Sequence, residues 1–420
     1  MTEPATPPGV AVRRAALRML DGVLRRGLPL ETVITGATAE LDRADDRGLA
    51  RAIASNVLRW LADLDALIDG ATAKPLPDDA KARMLLRIAL AQTLGLGTPP
   101  HAAIATVLPL ADGGPRRLVH GVFGTLSRRG VSLPATPSLP AEVTKRWTAA
   151  WGPEAVEEAR AALAAQPPID LVLRDPADLR EGETLAPGHR RLPAGTDVAA
   201  LPGYAEGAFW VQDIAATIPA RLFGAGDGRR MLDLCAAPGG KTMQLAAAGW
   251  DVTALDNSAT RLERLRANLA RTRLEAEVVT ADVFRWAPPA PAAAVLLDAP
   301  CTATGVFRRH PEVLHRIGPR AVASLAATQA RMLARAADWV QPGGTLVYAT
   351  CSGEREEGEV QVAPFLAGRP DFALEPVTPD EVPAGPGIQL DGGTVRVRPG
   401  AWAASGGADA FFVARFRRTG

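Results

Sequence analysis

Three cysteines are present, and two of them stand where a nucleophile could work. Cys301 lies in DAPCTATG, three residues after Asp298, and Cys351 lies in YATCSGEREEGE. A lone cysteine is usually a small buried apolar residue. Two at the ends of apolar runs, each beside Thr or Ser, point instead to chemistry. A free thiol has a pKa of about 8.5, so only a few per cent is thiolate at neutral pH, and a working nucleophile needs local activation. Cys235, within DLCAAPGGKT, reads as a packing residue. Four aspartates accompany the thiols: Asp233, Asp256, Asp282 and Asp298, each at or just past the end of an apolar run. One acid there is commonly a helix cap. Four in register suit a nucleoside ligand with two ribose hydroxyls, an exocyclic amine and a cationic centre.

These residues need a scaffold that brings strand ends together, and the sequence supplies one. In MLDLCAAPGGKT (231–242) a short apolar run, a Pro-Gly-Gly turn and an alanine-rich segment read as strand, tight loop and helix start. Gly239 and Gly240 let the backbone press against a ligand, with the helix start behind it. The loop is neither the dinucleotide fingerprint GxGxxG nor the GxxxxGK[ST] of a P-loop. Asp256 falls close to the ~20 residues expected between such a loop and an acid that holds a ribose. Strands are expected at 231–234, 251–255, 277–280, 294–297 and 345–349, with helices at 240–248, 258–272, 319–339 and 355–367. Segments 394–397 and 410–416 read as closing antiparallel strands. Strands alternating with helices at this spacing imply a mostly parallel sheet.

The rest of the chain divides by composition. Residues 1–9, MTEPATPPG, read as a disordered tail. From Val10 the apolar period is helical, with Leu17, Leu20 and Leu24 on one face. Further helices are expected at 30–41, 45–69, 78–95, 100–111 and 115–129, and no strand signal precedes Pro134. Residues 10–130 are therefore an all-helical domain. Its paired arginines, Arg25 and Arg26, Arg116 and Arg117, Arg128 and Arg129, read as a solvated face or as a phosphate-contacting patch. Residues 131–142 form a proline-punctuated linker. Residues 143–215 read as a small α+β insert: one helix over 145–165 with Trp147 and Trp151 on one face, then strands at 169–174, 183–200 and 207–212. Net charge is +1, so any nucleic-acid surface must be local. The cysteines make neither a disulfide framework nor a CxxC metal site, and fit a reducing cytoplasm. No apolar run approaches the ~18 residues of a membrane span.

DLCAAPGGKT, ALDNSATRL, LLDAPCTATGVFRRHPE and GGTLVYATCS, in this order and spacing, resemble the motifs of the NOL1/NOP2/Sun family of S-adenosylmethionine-dependent RNA cytosine-5 methyltransferases. The N-terminal helices resemble the RNA-binding factor NusB, and the combination is that of the bacterial small-subunit (16S) ribosomal RNA methyltransferases. The resemblance implies an all-α RNA-binding domain, a small α+β RNA-binding subdomain at 143–215, and a Rossmann-like methyltransferase domain at 216–420 with a mostly parallel seven-stranded sheet. By motif, Cys351 is the nucleophile, Cys301 assists product release as the base for the C5 proton, and Asp298 contacts the cytosine edge. Cys235, Ala236, Ala237, Pro238, Gly239, Gly240 and Lys241 hold the methionine part of S-adenosylmethionine, Asp256 the ribose and Asp282 the adenine amine, with Asp298 also in the cofactor site. The rival assignment makes Cys301 the nucleophile, as in DNA cytosine methyltransferases with a Pro-Cys motif. The expected partner of this monomeric, cytoplasmic enzyme is RNA, without metal or membrane.

A basic stretch, Arg308, Arg309, His310, His315, Arg316 and Arg320, reads as a phosphate-contacting arm or a solvated loop. The chain departs from the family pattern at Gly358, where the family has Asn, at Ala410, where Gly is common, and at His120 and Gly124, where Asn and Arg are common. The alternatives are the same chemistry on transfer RNA or another RNA, and a ribosome-assembly factor that binds RNA without methylating it.

Overall fold

The computed structural model describes residues 9–175 and 181–419, so the proposed tail lies outside the described residues except for Gly9. Two compact units are present: one runs up to Thr148 and includes Arg309–Arg316, and the other comprises Ala149–Arg308 with the chain from Ile317 onward.

The first unit is helical, as its apolar period requires. Helices span Val10–Leu24, Leu30–Ala37, Ala44–Arg59, Leu61–Asp69, Lys81–Leu90, Pro100–Val107 and Gly113–Arg128. The helix expected over 45–69 is interrupted at Trp60, and the one over 78–95 starts at Lys81 and ends in a π turn, Ala91–Gly95. Met19, Leu20, Ile53, Leu58, Leu64, Leu85 and Ile88 are fully buried in one core. Arg87 lies buried beside them and is neutralised by a two-pronged bond to Asp65, 2.7 Å on each prong. The paired arginines at helix ends are exposed.

The expected helix 145–165 is two helices, Ala141–Trp151, which begins in the first unit, and Pro153–Ala164, which lies in the second. Gly152 at φ +84° breaks the run, and Pro153, lacking an N–H, starts the next helix. Strands β1 (Ile169–Leu173), β2 (His189–Leu192) and β3 (Phe209–Val211) form a small antiparallel sheet in the order β2-β1-β3. β2 is much shorter than the expected 183–200. This sheet does not stand apart, because Val172, Trp210 and Ile214 share a core with Met231, Ala254 and Leu296.

The main sheet contains β4 (Arg230–Leu234), β5 (Asp251–Asp256), β6 (Glu277–Thr280), β7 (Ala292–Asp298), β8 (Val340–Thr350), β9 (Phe372–Leu374), β10 (Ile388–Asp391), β11 (Thr394–Val397) and β12 (Phe411–Arg418). The order is β10-β11-β12-β8-β7-β4-β5-β6, with β9 also pairing β12. Among the described residues nine strands therefore replace the expected seven; β9 and β10 are short and only partly buried, so neither leaves an apolar run to read. β8, β7, β4, β5 and β6 are parallel, and the apolar runs of β4, β5, β7 and β8 are buried, whereas the edge strand β6 is half-exposed. Leu232, Leu234, Val295, Leu297 and Leu346 are wholly inaccessible. The chain runs from β4 outward to β5 and β6, then returns to the other side of β4 as β7. The crevice at the carboxyl ends of β4 and β7 is a topological switch point, where open parallel sheets bind ligands.

Candidate active site

Parallel register places the chemical residues together. Asp298, the last residue of β7, lies opposite Ala349 of β8, so the loops carrying Cys301 and Cys351 leave neighbouring strands at the same level. Gly305 N–H donates to the Cys351 carbonyl at 3.0 Å and the Gly305 carbonyl accepts from Ala410 N–H at 3.0 Å. A Cβ on Gly305 would fall 2.1 Å from the Ala410 carbonyl oxygen, so only glycine lets these loops approach. The result is a Cys301 Sγ to Cys351 Sγ distance of 3.5 Å. The bond to Cys351, then burial, hold the Cys301 thiol well above its usual range, and the Glu357 charge adds to the rise. Burial does the same to Cys235.

The loop after β4 adds a cation. Lys241 Nζ bonds Asp298 Oδ2 at 2.7 Å across the switch point and lies 5.1 Å from the Phe411 ring centre. Burial works against its charge, but Asp298, and more weakly Cys351, raise the pKa of the ammonium. Asp233 beneath the loop is wholly buried; its Oδ2 accepts from the Thr242 hydroxyl at 2.6 Å. Burial pushes its carboxyl up to about 7, with Asp298 and Asp256 adding to the rise.

A nucleoside cofactor fits these residues. Gly239 stands at φ +106°, where a side chain would be strained and would meet Leu265, so only glycine makes this tight turn at the start of the helix. Asp233 Oδ1 is a buried acceptor with no partner. Asp256, at the end of β5, accepts from Ser258 N–H at 2.9 Å and Ala237 N–H at 3.2 Å and lies 3.3 Å from Arg261, which leaves lone pairs for further donors. Asp282 is exposed two residues beyond β6 and accepts from Phe284 N–H at 2.9 Å.

The basic stretch after Cys301 is not an open arm. Arg308 is 1% exposed and bonds Asp213 at 3.1 Å, Asp409 at 3.3 Å and the Gly406 carbonyl at 2.7 Å. Its charge is consumed inside the protein, which corrects its assignment to phosphate. Arg309 and His310 are half-buried, and His310 Nδ1 lies 3.3 Å from Glu312. His315 Nε2 is 2.7 Å from the Leu58 carbonyl, and Arg316 donates to Gly27 O at 2.7 Å, both within the helical unit. Arg320 is exposed.

The sequence reading missed Glu357, Arg261 and the partners of Arg308. Glu357 lies in the acidic run after Cys351, but nothing in that run separates it from Glu354, Glu356 or Glu359. The departure at Gly358 has a local reason: a Cβ there would lie 2.5 Å from the Arg396 guanidinium and 2.9 Å from the Phe412 ring.

Residues 221–417 match the model of the 16S rRNA methyltransferase RsmB/F family, and residues 10–117 match the NusB family. A ribosomal RNA small subunit methyltransferase B of Xanthomonas campestris is 35% identical over 395 residues, covering 88% of this chain and 90% of that protein. One from Klebsiella pneumoniae is 35% identical over 412 residues, covering 90% and 94%. The chain belongs to the ribosomal RNA small subunit methyltransferase B family. It is therefore a methyltransferase, and S-adenosylmethionine is its methyl donor. Two solved structures share the fold. The protein PH0851 gives a TM-score of 0.75 at 22% identity, covering 99% of this chain and 100% of that one. NSun6 from Pyrococcus horikoshii, solved with SFG, gives 0.58 at 17% identity, covering 67% and 99%. Among the described residues no helix is long and apolar enough to cross a membrane, and no cluster of His, Cys, Asp or Glu could hold a metal ion.

Proposed function

We propose that this methyltransferase modifies C5 of a cytosine in small-subunit (16S) ribosomal RNA through a covalent adduct between Cys351 and C6. The observation that carries the reading is the pair of sulfurs at 3.5 Å. The relatives' names supply the RNA class.

C5 of cytosine is a poor nucleophile. Addition of the Cys351 thiolate to C6 makes the ring enamine-like and places electron density on C5. When bound, S-adenosylmethionine supplies an electrophilic methyl carbon; Cys235 to Lys241 would hold its methionine portion, Asp256 its ribose and Asp282 its adenine amine. Asp298 contacts the cytosine edge, and Lys241, kept cationic by Asp298, offsets the negative charge that C6 addition pushes onto the ring. Before attack, Cys301 is a thiol bonded to Cys351. Attack commits the Cys351 sulfur to carbon, which removes the leading cause of the raised Cys301 pKa. The Cys301 proton then leaves to solvent, and the thiolate becomes the base. It takes the proton from methylated C5; the C–H electrons form the C5–C6 double bond, and the C6–S electrons return to Cys351. A cytosine paired in the folded RNA must leave its helix to reach the site. The N-terminal helical unit is the proposed RNA-binding domain, with residues 143–215 as an accessory RNA-binding region.

The test pairs two variants with one RNA assay. Cys351→Ala abolishes methylation, whereas Cys301→Ala accumulates a covalent protein–RNA adduct seen as a mass increase. An active Cys351→Ala enzyme, or an adduct formed by it, sinks the assignment and leaves Cys301 as nucleophile. Bisulfite sequencing of total RNA from a deletion strain reads the substrate: a lost ribosomal 5-methylcytosine supports this reading, and a loss confined to transfer RNA overturns it.

A further inference from the structure

We propose that Glu357 is a positioning residue whose buried carboxylate ties the Cys301 loop to the Cys351 loop and fixes the two sulfurs at reacting distance. The assignment deepens the cysteine chemistry above, but its geometry stands without it. Glu357 is wholly inaccessible. Its Oε1 accepts from Thr302 N–H at 2.9 Å and from Gln329 Nε2 at 2.9 Å. Its Oε2 accepts from the Ser352 hydroxyl at 2.5 Å and from the Thr302 hydroxyl. Thr302 is the residue after Cys301 and Ser352 the residue after Cys351, so one carboxylate holds the neighbour of each sulfur. Gln329 also donates to the Pro300 carbonyl at 2.9 Å, fixing the Cys301 loop from its other side. The Glu357 backbone carbonyl is itself held, by the Tyr348 hydroxyl at 2.7 Å and the Thr350 hydroxyl at 3.1 Å, both donors on β8.

The charge is as informative as the bonds. No Lys or Arg forms an ion pair with Glu357 among the described residues. A buried carboxylate without a counter-ion is costly unless donors surround it, and four do here. A neutral side chain of the same shape would tie the loops at lower cost, so the negative charge asks for a use. That use is Cys301: the Glu357 charge helps keep its thiol protonated. Glu357 thus sets both the separation of the sulfurs and the order in which they ionise, with Cys301 held back until Cys351 has reacted.

The two effects separate by substitution. The donors to Oε1 are N–H groups, which need an acceptor, whereas the donors to Oε2 are hydroxyls, which can turn and accept from an amide. Glu357→Gln therefore keeps the tie and removes the charge; Glu357→Ala removes both. Phenylarsine oxide bridges two close thiols and needs neither RNA nor methyl donor. Wild type binds one equivalent, and Cys351→Ala loses that binding, which excludes Cys235. Glu357→Gln retains the arsenical, but its Cys301 alkylation profile, read by peptide mass in a Cys351→Ala background, moves to lower pH. Glu357→Ala loses the arsenical and transfers methyl about 100-fold more slowly, the scale of a misplaced reacting group. Should Glu357→Ala fail to fold by circular dichroism, Thr302→Val with Ser352→Ala carries the same expectation. Undiminished arsenical binding by the folded alanine or double variant overturns the positioning role, and an unshifted Cys301 profile in Glu357→Gln overturns the role of the charge. Failure of the cysteine chemistry itself would instead appear as methylation by Cys351→Ala with the arsenical results unchanged.

Discussion

Asp233→Asn probes the electrostatics under the glycine loop. The side chain is wholly buried, and burial raises its carboxyl from an ordinary 3.8 to about 7. Below pH 4 both native and unfolded chains hold this proton. Between about 4 and about 7 the unfolded chain has released it and the native chain has not, so native stability falls as pH rises; above 7 the contribution is flat. At about 1.4 kcal/mol per pH unit, the two units between pH 5 and 7 amount to about 3 kcal/mol. Asparagine has the same shape, can accept the Thr242 hydroxyl bond, and has no proton to hold. Its own constant cost does not vary with pH, so the slope carries the result. Urea unfolding of wild type and Asp233→Asn from pH 5 to 8, followed by tryptophan fluorescence, should show the variant gaining about 3 kcal/mol relative to wild type by pH 7 and no more beyond it. Parallel curves would refute the raised pKa. A protonated Asp233 also leaves Asp298 as the acid that pairs with Lys241, so the same result bears on the charge beside Cys351.

Asp256→Asn should weaken S-adenosylmethionine binding about 10- to 100-fold by calorimetry, the worth of hydrogen bonds to a charged acceptor; unchanged affinity would remove Asp256 from the cofactor site. Arg308→Met should cost about 3–5 kcal/mol in urea unfolding because it strands Asp213 and Asp409 without their cation. The salt dependence of RNA binding should not change in that variant, since a side chain buried inside the protein releases no counter-ions from phosphate. Gly305→Ala should lower methyl transfer and phenylarsine oxide binding together, because its methyl group would collide with the Ala410 carbonyl that sits against the Cys351 loop. Full activity with an unchanged melting temperature would show that the loops have slack.

The amino-acid sequence alone determined the elements and the reactive groups. Apolar runs ending in Asp233, Asp256 and Asp298 marked strands because strands buried on both faces need continuous apolar residues. Gly239 marked a tight strand-to-helix loop, where φ is +106° and a Cβ would meet Leu265. The helical period from Val10 onward marked the first unit as helical, although that compact unit runs past the expected end at 130 to Thr148 and takes in Arg309–Arg316. Short, half-exposed β9 and β10 escaped because no periodic burial was imposed on them, and Gly152-Pro153 split a helix that the apolar period alone carried through. Only the tertiary structure decided which charges face solvent and which are spent inside. Arg308 and Arg309 are neighbours in a basic run, yet Arg308 is sealed between Asp213 and Asp409, which lie about a hundred residues away on either side. Glu357 is one of several glutamates in a row; parallel register brings Thr302, 55 residues earlier, to the carboxylate that also holds its near neighbour Ser352. The physical reason is common to both cases: a charge acquires its role from partners distant in the chain, and local pattern carries no record of them.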